Sequence, residues 1–86
     1  MIYRKDMFVK IQAIKGKIYI AKNTDVFELD EVGIFIWEKI DGKNSLEDIV
    51  FAVSKKYNQT IENIYSDVKD FINDLHNNNL VMETKV

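Results

Sequence analysis

Apolar residues recur along this chain in two rhythms, and the change from one to the other outlines the architecture. In the first third, Phe8, Ile11 and Ile14, then Ile18 and Ile20, fall in short stretches with partial alternation, broken by Lys15-Gly16-Lys17, where Gly16 supplies a positive-φ turn position. This predicts a hairpin. After a second turn signal at Asn23-Thr24, the run Val26 to Leu29 predicts a third strand, with Phe27 and Leu29 on one face and Val26 and Glu28 on the other.

From there the spacing becomes helical. Asp30 fits an N-cap, and Glu31 adds favourable charge to the first turn. Val32, Ile34, Phe35, Ile36, Trp37 and Ile40 point almost all round the axis, which predicts a central, buried helix. Gly33 inside it costs about 1 kcal/mol relative to alanine, so a close backbone neighbour is expected there. Gly42, after Asp41, suits the left-handed position that ends a helix. Ser45-Leu46-Glu47-Asp48 is a near capping box for a second helix with Leu46, Ile49, Val50, Val53 and Tyr57 on one face. Thr60 caps a third, whose stripe runs through Ile61, Ile64, Val68, Phe71, Ile72 and Leu75 until Asn77-Asn78-Asn79 stops it, and Leu80-Val81-Met82 predicts a short extended tail.

The resulting layout has strands within residues 7–29 and helices at about 30–41, 45–57 and 60–77, in one domain of 86 residues. Three strands followed by three helices around one core read as an α+β, winged-helix-like domain, a three-stranded antiparallel sheet preceding the helices. A helical bundle with a loose N-terminal arm is the rival, and the strand residues are too apolar to leave in water.

Composition narrows the chemistry. There is no cysteine, which removes disulfides, thiolate metal sites and cysteine nucleophiles together. The start Met1-Ile2-Tyr3-Arg4-Lys5-Asp6 carries no apolar signal core and no run approaches a membrane span, so a cytoplasmic location is expected. A net charge of -2 conceals an asymmetry: the strand half is mildly basic and the helical half acidic. With a single histidine, His76, and no glycine-rich loop, no catalytic constellation and no cofactor site is expected. Asp67, Asp70 and Asp74 share a helical face, but without histidine or a loop glycine they read as a solvated face rather than metal ligands. Trp37 reads as core rather than a stacking platform.

The ordered series Phe27-x-Leu29-Asp30-x-x-Gly33-x-x-Ile36-Trp37-x-x-Ile40-Asp41-Gly42, then Leu46-x-x-Ile49 with Tyr57, then Asp67-Val68-x-x-Phe71-Ile72-x-x-Leu75 and Leu80-Val81, resembles the PqqD-like family of precursor-peptide recognition elements. The family commonly has Leu-Asn where this chain has Leu29-Asp30, and Gly-Leu where it has Asn79-Leu80; aspartate caps as well as asparagine, and asparagine follows glycine in tolerating a left-handed position.

The resemblance implies a non-catalytic domain that holds the leader of a ribosomally made precursor peptide as a strand added to its third strand, in a groove closed by its third helix. Mapped here, the edge is Asp25, Val26, Phe27, Glu28 and Leu29. Two flanks of the third helix compete for the wall, Asp67, Phe71 and Asp74 or Tyr65, Lys69 and His76. The family pattern favours Asp67 and Phe71, with Val68 and Ile72 as the groove floor. The implied partners are a precursor peptide and a maturation enzyme such as a radical S-adenosylmethionine protein, a lasso-peptide protease or a cyclase, and the free edge also allows a homodimer. If the basic strand half meets an acidic leader, binding should weaken as ionic strength rises; salt-independent affinity would leave the groove hydrophobic and the charge asymmetry incidental. The alternative is a winged-helix DNA-binding regulator, disfavoured because the last two helices carry more acids than lysines.

Overall fold

Alternation in the first third becomes strands, but one more than expected. The computed structural model describes residues 1–84, in the order β1 (Ile2–Lys5), β2 (Lys10–Ile14), β3 (Lys17–Lys22), β4 (Asp25–Leu29), α1 (Glu31–Lys39), α2 (Leu46–Tyr57), α3 (Ile61–Asn77) and β5 (Val81–Thr84). The strands β2-β3-β4 form the expected antiparallel sheet, with Ile20 opposite both Ile11 and Phe27 and with Ile18 opposite Leu29. Lys15 and Gly16, at φ 51° and 80°, make the tight turn of the hairpin, since a primed turn needs positive φ at both central residues.

The strand β1 corrects the sequence reading, which places the first strand no earlier than residue 7. It pairs antiparallel with β5, Tyr3 opposite Glu83 and Lys5 opposite Val81, in a separate two-stranded sheet. The tail expected at Leu80-Val81-Met82 is therefore one half of a pair that joins the two ends of the chain. Half of β1 is charged, and its partner is far away in sequence, so local alternation carries no sign of it.

Caps set the helix limits. Asp30 accepts from Gly33 N–H at 2.7 Å; Ser45 and Asp48 complete a reciprocal capping box; Thr60 accepts from Asn63 N–H. The first helix ends at Lys39, short of the expected 41, because the Asp41 carboxylate takes the N–H groups of Lys43 and Asn44 and the Asn44 amide caps the Lys39 carbonyl. Gly42 is left-handed at φ 80°, in the turn after the helix, and donates to the Tyr3 carbonyl at 2.9 Å. Asn79 turns left-handed at φ 61°, the role its residue type suggests.

The core gathers Ile20 and Leu29 from the sheet, Ile36, Trp37 and Ile40 from α1 and its end, Leu46, Ile49, Val50 and Val53 from α2, Val68, Ile72 and Leu75 from α3, and Tyr3, Leu80 and Val81 from the terminal strands and the turn before β5. Trp37 is core, as expected. Against expectation α1 is not buried all round: Val32 is exposed, and Ile34 and Phe35 are half-buried.

A part-buried ion pair ties the segment after β1 to the end of β3. Asp6, buried, accepts from Lys22 Nζ at 2.9 Å and from Phe8 N–H at 2.8 Å, while Lys22 also donates to the Asn79 carbonyl at 2.9 Å. The Lys22 hydrogen bond, then that from Phe8, hold the Asp6 carboxyl below the usual aspartate range. A depressed folded-state pKa means that the stabilisation is complete above the unfolded value, about 3.9, and is lost as pH falls through the folded value. Asp6→Asn is therefore expected to be less stable than the parent at neutral pH, with the gap closing below about pH 4. Urea unfolding of both proteins across that range reads the effect, and a gap constant with pH would contradict it.

Candidate functional site

A sheet of three strands has two open edges, β2 and β4, and only β4 has a wall beside it. Every residue of β2 is exposed, so a chain pairing there would find no side-chain pockets. Along β4, Phe27 and Leu29 face the helices, Phe27 half-buried and Leu29 buried, while Asp25, Val26 and Glu28 are exposed. Since β5 pairs with β1, the outer edge of β4 has no strand partner among the described residues. An exposed edge is normally an aggregation hazard.

Two adjoining clefts flank that edge. One, of about 200 Å³, lies between β4 and α3 and is lined by Phe27, Glu28, Leu29, Phe71, Asp74, Leu75 and Asn78. The other, of about 400 Å³, continues between α1 and the two later helices, with Gly33, Ile36, Val53, Ile64 and Val68 as its apolar wall and Asp30 and Asp67 among its lining. Phe71 belongs to both and divides them.

Gly33 is what lets Phe71 lie there. A Cβ at that position would stand 3.3 Å from Phe71 Cζ, 3.2 Å from Asp30 Oδ1 and 3.4 Å from Leu29 Cδ2. The close neighbours are thus side chains, not the backbone that the sequence leads one to expect. Tyr57 borders the larger cleft; burial first, then the charge of Glu31, push its hydroxyl above the usual tyrosine pKa, and that buried hydroxyl makes no hydrogen bond of ordinary geometry.

The side chains that the sequence points to divide as follows. Phe27, Glu28, Leu29, Asp67, Val68 and Phe71 come together along the two clefts. Asp25 and Val26 are exposed at the start of the same edge. Ile72 is only 1% exposed and lines neither cleft: it belongs to the core beneath them, because it lies one residue round the helix from Phe71. Of the two flanks of α3, the one carrying Asp67, Phe71 and Asp74 borders the clefts, whereas His76 faces the terminal sheet, its ring 5.9 Å from that of Tyr3.

Val32, Gly33 and Ile64 join the site only in the structure, and Asp74, a member of one of the two flanks the sequence offered, lines the smaller cleft. Asp74 has its signal in the helical spacing from Asp67, and Val32 in its place one turn beyond the strand. No lysine of the basic strand half lines either cleft, although Lys17 Nζ stands 4.0 Å from Glu28: the lining residues include four carboxylates and no lysine, arginine or histidine.

Among the described residues no helix is long and apolar enough to cross a membrane. No curated protein matches the chain in sequence. A solved structure of the same fold, described as TbiB1 in complex with the TbiA(beta) leader peptide, superposes with a TM-score of 0.79 over 96% of this chain and 99% of that one, at 24% identity. The family model for coenzyme PQQ synthesis protein D matches residues 18–81, from β3 to the first residue of β5. Matched over that length, the chain belongs to the PqqD family.

Proposed function

We propose that this protein binds the leader segment of a ribosomally synthesised precursor peptide, as a strand added to the open edge of β4, and presents it to a separate maturation enzyme. The observation that carries this reading is the unpaired β4 edge lying directly beside apolar clefts walled by α3 and α1. Strand addition divides the work between two kinds of contact. Main-chain hydrogen bonds to β4 provide affinity whatever the sequence, and alternate peptide side chains entering the clefts on either side of Phe71 provide selection. The solved TbiB1 complex, a structure of the same fold, contains a leader peptide, which supports the assignment of ligand class.

The protein's part is non-catalytic. It raises the effective concentration of the attached core segment at the enzyme, and a radical S-adenosylmethionine protein, a lasso-peptide protease and a cyclase are the enzyme classes this delivery would serve. The acidic flank of α3, with Asp67, Asp70 and Asp74, would repel nucleic acid phosphates and weighs against the DNA-binding alternative.

Titration with the two halves of a precursor peptide encoded beside the gene tests the proposal. The leader half is expected to bind saturably and the core half not to bind. Equal binding of both halves, or of neither, would contradict it.

A further inference from the structure

We propose that the peptide held in this groove is cationic where it crosses α3, with an apolar residue against Phe71 and a lysine or arginine on each side of it. The inference rests on the reading of the groove as a peptide site and adds the chemistry of the occupant. The groove lining contains Glu28, Asp30, Asp67 and Asp74 and no basic side chain among the described residues.

Two of those carboxylates are already engaged. Asp30 accepts from Gly33 N–H at 2.7 Å as the cap of α1, and Glu28 has Lys17 Nζ at 4.0 Å. Asp67 and Asp74 make no salt bridge and no side-chain hydrogen bond among the described residues. They stand four residues before and three after Phe71, on one side of α3, separated along its axis by about 10 Å at a rise of 1.5 Å per residue. Side chains on one face of a strand recur every second residue, so two basic residues flanking an apolar one on that face lie four positions apart, about 14 Å, a mismatch that flexible lysine or arginine stems can take up.

A peptide laid in the groove takes water away from both carboxylates. An uncompensated loss of hydration disfavours binding, and a like-charged peptide adds repulsion. A lysine or arginine offsets both effects: its head pairs with the carboxylate and its aliphatic stem covers the apolar wall beside Phe71. An acidic leader meeting the basic strand half is the opposite charge pairing, and no basic side chain of that half lines the groove.

Selection of a randomised dodecapeptide display library on the immobilised protein tests the inference and needs no natural ligand. Enriched peptides are expected to carry lysine or arginine four positions apart with an apolar residue midway between them. Selection on the Asp67→Lys/Asp74→Lys variant, checked for folding by circular dichroism, is expected to enrich aspartate and glutamate instead. For a synthetic peptide from the first selection, losing each exposed pair weakens binding about twofold to fivefold, and reversing both carboxylates does so about tenfold or more.

Convergent apolar peptides without charge bias, still sensitive to a proline in β4, would overturn the charge inference and leave strand binding standing. Peptides indifferent to β4 proline, or no convergent peptides at all, would overturn the strand-binding reading and this inference with it.

Discussion

A proline at Phe27 or Glu28 is expected to lower leader affinity about tenfold to a hundredfold at one of the two positions, and to cost stability at the other. Consecutive N–H groups of a strand point to opposite edges, so in β4 one of these two donates toward β3 and the other outward. Proline removes the donor at either place, but a strand tolerates it where the N–H faces solvent. At the outward position the free protein loses little. The bound leader, however, keeps a carbonyl buried without a partner, at a cost of about 1–3 kcal/mol. Phe27→Ala separates the contribution of the ring from that of the backbone, and a proline at Ile11 in β2, whose N–H faces outward from the other open edge, is expected to leave affinity unchanged. Titration with circular dichroism as the folding control measures all four variants. Unchanged affinity in both folded β4 variants would remove this edge from the site.

Neighbouring residues of α3 are expected to fail in opposite ways. Ile72 is sealed in the core, and truncating such an isoleucine to alanine costs about 2–5 kcal/mol, which for a domain of this size lowers the melting temperature by roughly 10 °C or more. Leader affinity of the folded fraction should hardly change. Phe71 is half-buried with its ring between the two clefts, so Phe71→Ala costs the free protein less and removes apolar surface that the peptide would cover. A contact of that kind contributes about 1.5–3 kcal/mol, a tenfold to hundredfold loss of affinity. Thermal melts and titrations of both variants decide the matter, and the opposite assignment of the two phenotypes would show that the groove floor has been misplaced.

That pair of residues also marks how far sequence reasoning reaches. Helical spacing puts Val68, Phe71, Ile72 and Leu75 on one stripe, and periodicity alone does not distinguish the part of a stripe that meets the core from the part that borders a groove. Features fixed by neighbours in sequence are readable: the Lys15-Gly16 turn, the Asp30, Ser45 and Thr60 caps, the β4 strand and the left-handed Asn79. Features fixed by distant partners are not. The pairing of β1 with β5, the bonds of Lys22 to both Asp6 and Asn79, and the side chains crowding Gly33 all join segments whose meeting no local pattern announces. Charge misleads for the same reason, since counting lysines by chain segment says nothing of which charges line a cleft.

The most direct test is amide hydrogen exchange, read residue by residue on the isotopically labelled protein with and without saturating leader peptide. New protection is expected at alternate amides within Asp25–Leu29, with β2 amides from Lys10 to Ile14 unchanged. Protection arising at β2 instead, or binding that leaves every β4 amide exchanging as before, would contradict strand addition at β4.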